Sequence, residues 1–160
     1  CDIVGPDCPV SAESVAMTRE ELITDGRELA AIAPNVVVKI PTMVEGLAAT
    51  HALAAEGIPV NMTLCFSVPQ AILAARAGAR YISPFIGRFD DISEDGLDQV
   101  ANIVTALNNY DFTSNTVNGE QVEVIAASIR SANHVTRRYR NGSLRRAEED
   151  GSASVDRSWP

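Results

Sequence analysis

Three times before residue 79 the chain runs through the same order: an apolar segment, a Ser or Thr followed three residues later by Glu or Gln, and a stretch of apolar residues at helical spacing. The S/T-x-x-E/Q pattern is the capping box, in which the hydroxyl satisfies a free N–H of the first helical turn, so it marks where a helix begins. In the first unit the run Val10 to Met17 precedes Thr18-Arg19-Glu20-Glu21, and Leu22, Ile23, Gly26, Leu29, Ala30 and Ala33 carry the helical spacing to Pro34. The second has a strand from Asn35 to Pro41, a box at Thr42 to Glu45, and a helix through Leu47 and Leu53 that ends near Gly57. The third has Val60 to Phe66, a box at Ser67 to Gln70, and a helix through Ile72 and Leu73 that stops at Gly78. Ala79 to Ile86 then reads as a fourth strand, Gly87 to Asp91 as a loop, and Leu97, Val100, Ile103, Val104 and Leu107 as one face of a helix, with Ser93 in a capping position. Asn108 to Gln121 is polar and contains Asn118-Gly119, the signature of a loop or a small hairpin, and Val122 to Ile129 is a fifth strand. Alternating β and α units with near-continuous apolar strands dictate an α/β fold, a parallel sheet covered by helices.

Two architectures satisfy that pattern: an open doubly wound sheet, or part of a closed (β/α)8 barrel. The chain has 160 residues, enough for one domain, and five strands fill an open sheet, whereas a barrel of this type takes about 250 residues. Against the open sheet, no strand-to-helix turn carries a glycine-rich phosphate fingerprint. The formal net charge of −8 excludes nucleic acid and anionic membrane as natural partners, and no apolar stretch approaches a membrane span. Cys1, Cys8 and Cys65 form neither a zinc spacing nor an even disulfide set, which points to a reducing, cytoplasmic setting. His51 and His134 have no partner at metal spacing and read as ordinary polar residues, so neither a metal nor another cofactor is expected. Cys65 reads as a small buried hydrophobe.

The chemistry gathers at the strand ends. Twelve of the thirteen basic residues are arginine; the one lysine, Lys39, interrupts the apolar run Val36-Val37-Val38-Lys39-Ile40-Pro41. A lysine amine freed of its proton attacks carbonyls to form a Schiff base, a role closed to the permanently charged guanidinium. Taken alone, Lys39 reads first as a stem packed on the strand with its head in water. At or near the other strand ends stand Glu13, Asn61, Thr63, Ser83, Arg88, Ser128 and Arg130. In a barrel such residues converge on one pocket, and this set suits a hydroxylated, phosphorylated carbonyl compound: Glu13 and Thr63 around a water for proton transfer, Arg88 and Arg130 on phosphate. Each has a plainer reading, Glu13 as a solvated carboxylate, Thr63 as a strand residue and Arg88 as a partner of Asp90 or Asp91.

The segments Val36 to Pro41, Asn61-Met62-Thr63-Leu64-Cys65-Phe66-Ser67, Ser83-Pro84-Phe85-Ile86-Gly87-Arg88-Phe89-Asp90-Asp91 and Ala126-Ala127-Ser128-Ile129-Arg130 closely resemble transaldolases, in particular the short bacterial transaldolase-like group that includes fructose-6-phosphate aldolases. The resemblance runs from about Val10 to Val135 through five strands. It implies a partial (β/α)8 TIM barrel of about five βα units in which Lys39 forms a Schiff base with a ketose phosphate, either sedoheptulose 7-phosphate or fructose 6-phosphate. Carbon–carbon cleavage would leave a dihydroxyacetone unit on Lys39 for transfer to an aldose phosphate, in the pentose phosphate pathway and without a cofactor. It further implies a relay of Glu13, Thr63 and water, contacts of Asn61, Ser83 and Phe85 with substrate, a phosphate site of Ser128, Arg130 and Arg88, and a homo-oligomeric full-length protein. Phe85 with Glu13 resembles the transaldolase branch; the fructose-6-phosphate aldolase branch usually carries Tyr and Gln there. An aldolase-type lyase, an inactive fragment and an open-sheet sugar-phosphate binder are the alternatives.

The family's first two strands, with F-L-D-T-A-type and T-T-N-P-type motifs, and its last strand have no counterpart in this sequence. A five-strand arc would expose two sheet edges. Residues 1–135 therefore read as a partial barrel domain, and 136–160 as an atypical tail that holds six of the thirteen basic residues and no hydrophobic periodicity. A disordered or weakly helical segment from a shifted reading frame is the expectation for that tail.

Overall fold

A computed structural model describes Cys1 and residues 3–140, so the expectation for the tail lies, from residue 141 onward, outside the described residues. Its elements alternate as β1 (Val10–Glu13), α1 (Arg19–Ala30), β2 (Val36–Pro41), α2 (Val44–Ala55), β3 (Val60–Cys65), α3 (Val68–Ala77), β4 (Tyr81–Pro84), α4 (Ile86–Asp91), α5 (Gly96–Asn108), β5 (Glu123–Val124) and α6 (Ala132–Arg140). All strand pairs are parallel, and the sheet order is β1-β2-β3-β4-β5. An open doubly wound sheet reverses its order at a switch point, whereas right-handed crossovers that always step the same way keep the helices on one face. Among the described residues no reversal occurs, so the sheet is an arc of a (β/α) barrel.

The core lies between that arc and its helices. Val38, Ile40, Val60, Met62 and Ile82 from the strands pack with Leu22, Leu53, Ala71, Ala74 and Ile103 from the helices, all fully buried. Each such buried Leu, Ile or Met contributes roughly 1.5–3 kcal/mol. The side chains of Lys39, Asn61, Thr63 and Ser83 alternate with these residues and therefore project from the other, concave face.

Several sequence expectations change here. Thr18 and Ser67 do cap α1 and α3, accepting from Glu21 N (3.4 Å) and Gln70 N (3.3 Å). Thr42 does not cap α2: its hydroxyl and its N–H both donate to Thr63 O, at 2.7 and 2.8 Å, because the ladder between β2 and β3 continues one residue beyond the strand. Gly46 brings that helix start against β2, where a Cβ would collide with Pro41 O. Ser93 is not a cap either; Asp95 accepts from Leu97 N (3.0 Å) and Asp98 N (3.3 Å) and starts α5. The expected loop Gly87 to Asp91 is instead the short helix α4. The fifth strand is regular only at Glu123–Val124, but its pairing continues through Ile125 N to Ile82 O (2.8 Å), Ala127 N to Pro84 O (2.9 Å) and a bridge between Phe85 and Ala127. Asn118-Gly119 forms a 3-10 turn rather than a hairpin.

Candidate active site

Parallel register decides which side chains meet on the concave face. Glu13 stands beside Lys39, Lys39 beside Asn61, and Thr63 beside Ser83. Lys39 Nζ donates to Glu13 Oε2 at 2.8 Å, and the lysine side chain is 24% exposed. The neighbouring Asn61 is buried, with Nδ2 donating to Ser11 Oγ (3.1 Å) and Oδ1 accepting from the buried Ser83 hydroxyl (2.8 Å). The amide is thus fixed in orientation by a partner on each side. Ser11 was missed by sequence reasoning, although its position two residues before Glu13 places it on the same strand face.

Thr63 is fully buried, and its hydroxyl has no hydrogen-bond partner among the described residues. A buried polar group without a partner costs about 1–3 kcal/mol unless a water or ligand satisfies it. Immediately after it, Leu64 adopts φ 56° where the register between β3 and β4 shifts, leaving Leu64 as the extra residue of a bulge. The bulge turns Cys65 away from the concave face and into the helix-facing core. Burial there pushes the Cys65 thiol up, as expected of an inert core cysteine.

The remaining candidates lie beyond the ends of β4 and β5. Phe85 precedes α4 and meets Phe66 edge to face, with centroids 6.3 Å apart. Ser128 is left-handed, at φ 60°, and its carbonyl accepts from Gly87 N at 3.1 Å. For a serine that conformation costs on the order of 1–3 kcal/mol and persists only where the surroundings enforce it. Arg130 forks onto Asp91, donating to Oδ1 and, at 3.0 Å, to Oδ2; Arg88, 64% exposed, lies 3.7 Å from the same carboxylate. The hydrogen bonds from Arg130 hold the Asp91 carboxyl below its usual range. Arg88, Ser128 and Arg130 therefore gather around α4, apart from the Lys39 network in the ladder. His134, read from sequence as an ordinary polar residue, has a defined place: Nδ1 accepts from Arg130 N (3.3 Å), and Nε2 lies 3.0 Å from Asp90 Oδ2. No signal in the sequence ties His134 to Asp90.

A cleft of about 320 Å3 opens at the opposite end of the strands, between Asn35, Pro59, Arg80 and Asn118. Its arginine is committed to Glu120, Glu123 and Gln121 O, whereas the Lys39 end holds the buried Thr63 hydroxyl that has no partner among the described residues. Among the described residues no three His, Cys, Asp or Glu side chains gather as a metal site, and no helix is long and apolar enough to cross a membrane.

Residues 1–143 match the family model described as Transaldolase/Fructose-6-phosphate aldolase. Over 143 residues the chain is 53% identical to a probable transaldolase of Cereibacter sphaeroides (strain ATCC 17025 / ATH 2.4.3), covering 89% of this chain and 61% of that protein. It is 50% identical to a probable transaldolase of Myxococcus xanthus (strain DK1622) over 143 residues, covering 89% and 60%. With a probable transaldolase of Halalkalibacterium halodurans it shares 53% identity over 127 residues, 79% of this chain and 56% of that one. The chain spans about six tenths of the length of these curated relatives. The chain belongs to the transaldolase/fructose-6-phosphate aldolase family.

Proposed function

We propose that the protein carries the Schiff-base half of a transaldolase, moving a dihydroxyacetone unit from a ketose phosphate to an aldose phosphate. The observation that carries this reading is the contact of Lys39 Nζ with Glu13 Oε2, set beside the Asn61–Ser83 pair in ladder register. Glu13 is within direct reach of the amine proton, so the carboxylate can accept it as the amine turns toward the ketone. The amine then adds to the carbonyl carbon, and loss of water leaves the imine. The protonated imine draws in the electrons of the bond between its α and β carbons, which breaks as the hydroxyl on the β carbon loses its proton to water and the aldose phosphate departs, leaving the three-carbon enamine on Lys39. Addition of the three-carbon unit to a second aldose phosphate, followed by hydrolysis of the imine, restores Lys39.

The unpartnered Thr63 hydroxyl supports a water shared with Glu13, which would carry the proton lost and regained at the carbinolamine oxygen. Asn61 and Ser83 offer a fixed amide and hydroxyl to the substrate's own hydroxyls. Arg88, Arg130 and Ser128 would hold the phosphate, where guanidinium forks match its geometry. Phe85 and Glu13 favour transfer over the lyase reaction of the fructose-6-phosphate aldolase branch, and the relatives' name, probable transaldolase, supports the same choice. A role in the pentose phosphate pathway, in the cytoplasm, goes with this reading, as does self-association.

The test is covalent. Incubation with fructose 6-phosphate and reduction with borohydride should leave a mass adduct on Lys39 that Lys39→Arg abolishes. Folded protein that gives no adduct at Lys39 would overturn the reading.

A further inference from the structure

Asp90 and Asp91 are neighbours with separate tasks. Asp90 is spent on the fold: Oδ1 accepts from Gly96 N at 3.2 Å, and Oδ2 faces His134 Nε2. His134 thus bridges the Arg130 N–H, which donates to Nδ1 at 3.3 Å, and Asp90 Oδ2, 3.0 Å from Nε2. That chain of contacts pins the Arg130 backbone to the end of α4. The Arg130 side chain then crosses Gly87, where even a Cβ would collide with its Nε, and its guanidinium closes on Asp91 while remaining 46% exposed. The backbone of Arg130 is fixed, and its head can exchange partners. Asp91, with two oxygens facing one guanidinium fork and a second arginine 3.7 Å away, presents to Arg130 and Arg88 the same pattern a phosphate would.

We propose that Asp91 is an internal competitor for the substrate phosphate: it occupies the Arg130 guanidinium when the site is empty, gives way to the incoming dianion, and so sets phosphate affinity. This rests on the assignment of Arg130 to phosphate under the proposed function. The competition keeps the arginines from holding free phosphate tightly and favours ligands that also engage Lys39. No bond is made or broken; two hydrogen bonds move from a carboxylate to a phosphate.

The experiment measures binding of inorganic phosphate by calorimetry, using the full chain, Asp91→Asn, Asp91→Ser, Arg130→Ala and the double variant Asp91→Asn/Arg130→Ala, each checked for fold by circular dichroism. Both Asp91 variants should bind phosphate about three- to fivefold more tightly, the scale of one exposed ion pair, and the gain should vanish in the double variant. Unchanged or weaker binding in both Asp91 variants, with Arg130→Ala still impaired, overturns the competitor role and leaves the phosphate assignment standing. Undiminished binding in Arg130→Ala overturns both. Dihydroxyacetone, which has no phosphate, should label Lys39 in the unaltered chain after borohydride reduction, so a failure of the lysine chemistry is seen separately.

Discussion

Lys39, Glu13, Asn61 and Ser83 stand on consecutive strands in register, whereas Arg88, Ser128 and Arg130 stand on α4 and on the segment beyond β5. The first group is held by the ladder itself and by hydrogen bonds in which Asn61 and Ser83 are buried. In the second the backbone is fixed by the bonds of Ser128 O and Arg130 N, but the guanidinium is held by charge at the surface, with Arg130 and Asp91 both more than 40% exposed. A group built on strands has little freedom, which suits the covalent chemistry proposed for Lys39, since such chemistry tolerates small errors of position poorly. The exposed side chains of α4 and of the segment beyond β5 can exchange partners, which suits the proposed role of gripping and releasing a phosphate.

The sharpest way to break this contrast is Thr63→Val, which removes a hydroxyl but preserves shape. If that hydroxyl holds a water for proton transfer, imine formation with dihydroxyacetone, followed by borohydride trapping, slows by about 10²-fold. Urea stability should hold or rise, because a buried hydroxyl with no protein partner is lost. A normal trapping rate would remove Thr63 from the chemistry and leave it an ordinary strand residue.

Next in size is Asn61→Leu. It keeps the approximate volume but strips partners from the buried Ser83 hydroxyl and from Ser11, and should cost about 1–3 kcal/mol in urea unfolding. Arg130→Ala, on the exposed side of the comparison, should shift the urea midpoint less. Equal shifts would mean that the arginine half is as integral to the fold as the ladder.

How much of this was legible in the sequence follows the same division. Strand residues announce themselves by period, so Lys39, Asn61, Thr63 and Ser83 could be set on one face from spacing alone once the strands were recognised. Thr18 and Ser67 likewise announced their helices. What failed depended on long-range contacts. Thr42 has the cap sequence, yet Thr63 O, twenty-one residues on, outcompetes the helix for its hydroxyl. The helix α4 hides in Gly87 to Asp91, whose polar composition is that of a loop, and the left-handed Ser128 and the bulge at Leu64 leave no mark in residues that are not glycine. The ion pair of Asp91 with Arg130 spans thirty-nine residues, and only Arg88 was close enough in sequence to suggest a partner.

The smallest effect sharpens the charged half. Arg130 lowers the folded Asp91 carboxyl below its ordinary value, so the pair contributes stability that is complete above the unfolded carboxyl's range, about pH 4, and is lost as pH falls through the lower folded value. Asp91→Asn has no proton to take up there. Melting temperature recorded from about pH 5 down to about pH 3 should therefore fall less steeply in Asp91→Asn than in the unaltered chain, the two curves converging at the acid end. Added salt at neutral pH should narrow the gap as well, because both partners are exposed and screened. The difference between the Asn61→Leu protein and the unaltered chain rests on neutral, buried hydrogen bonds, so the same salt should leave it nearly unchanged. A salt response shared by both variants would mean that the strand-built and arginine halves are held by the same forces after all, and that exposure alone does not separate them.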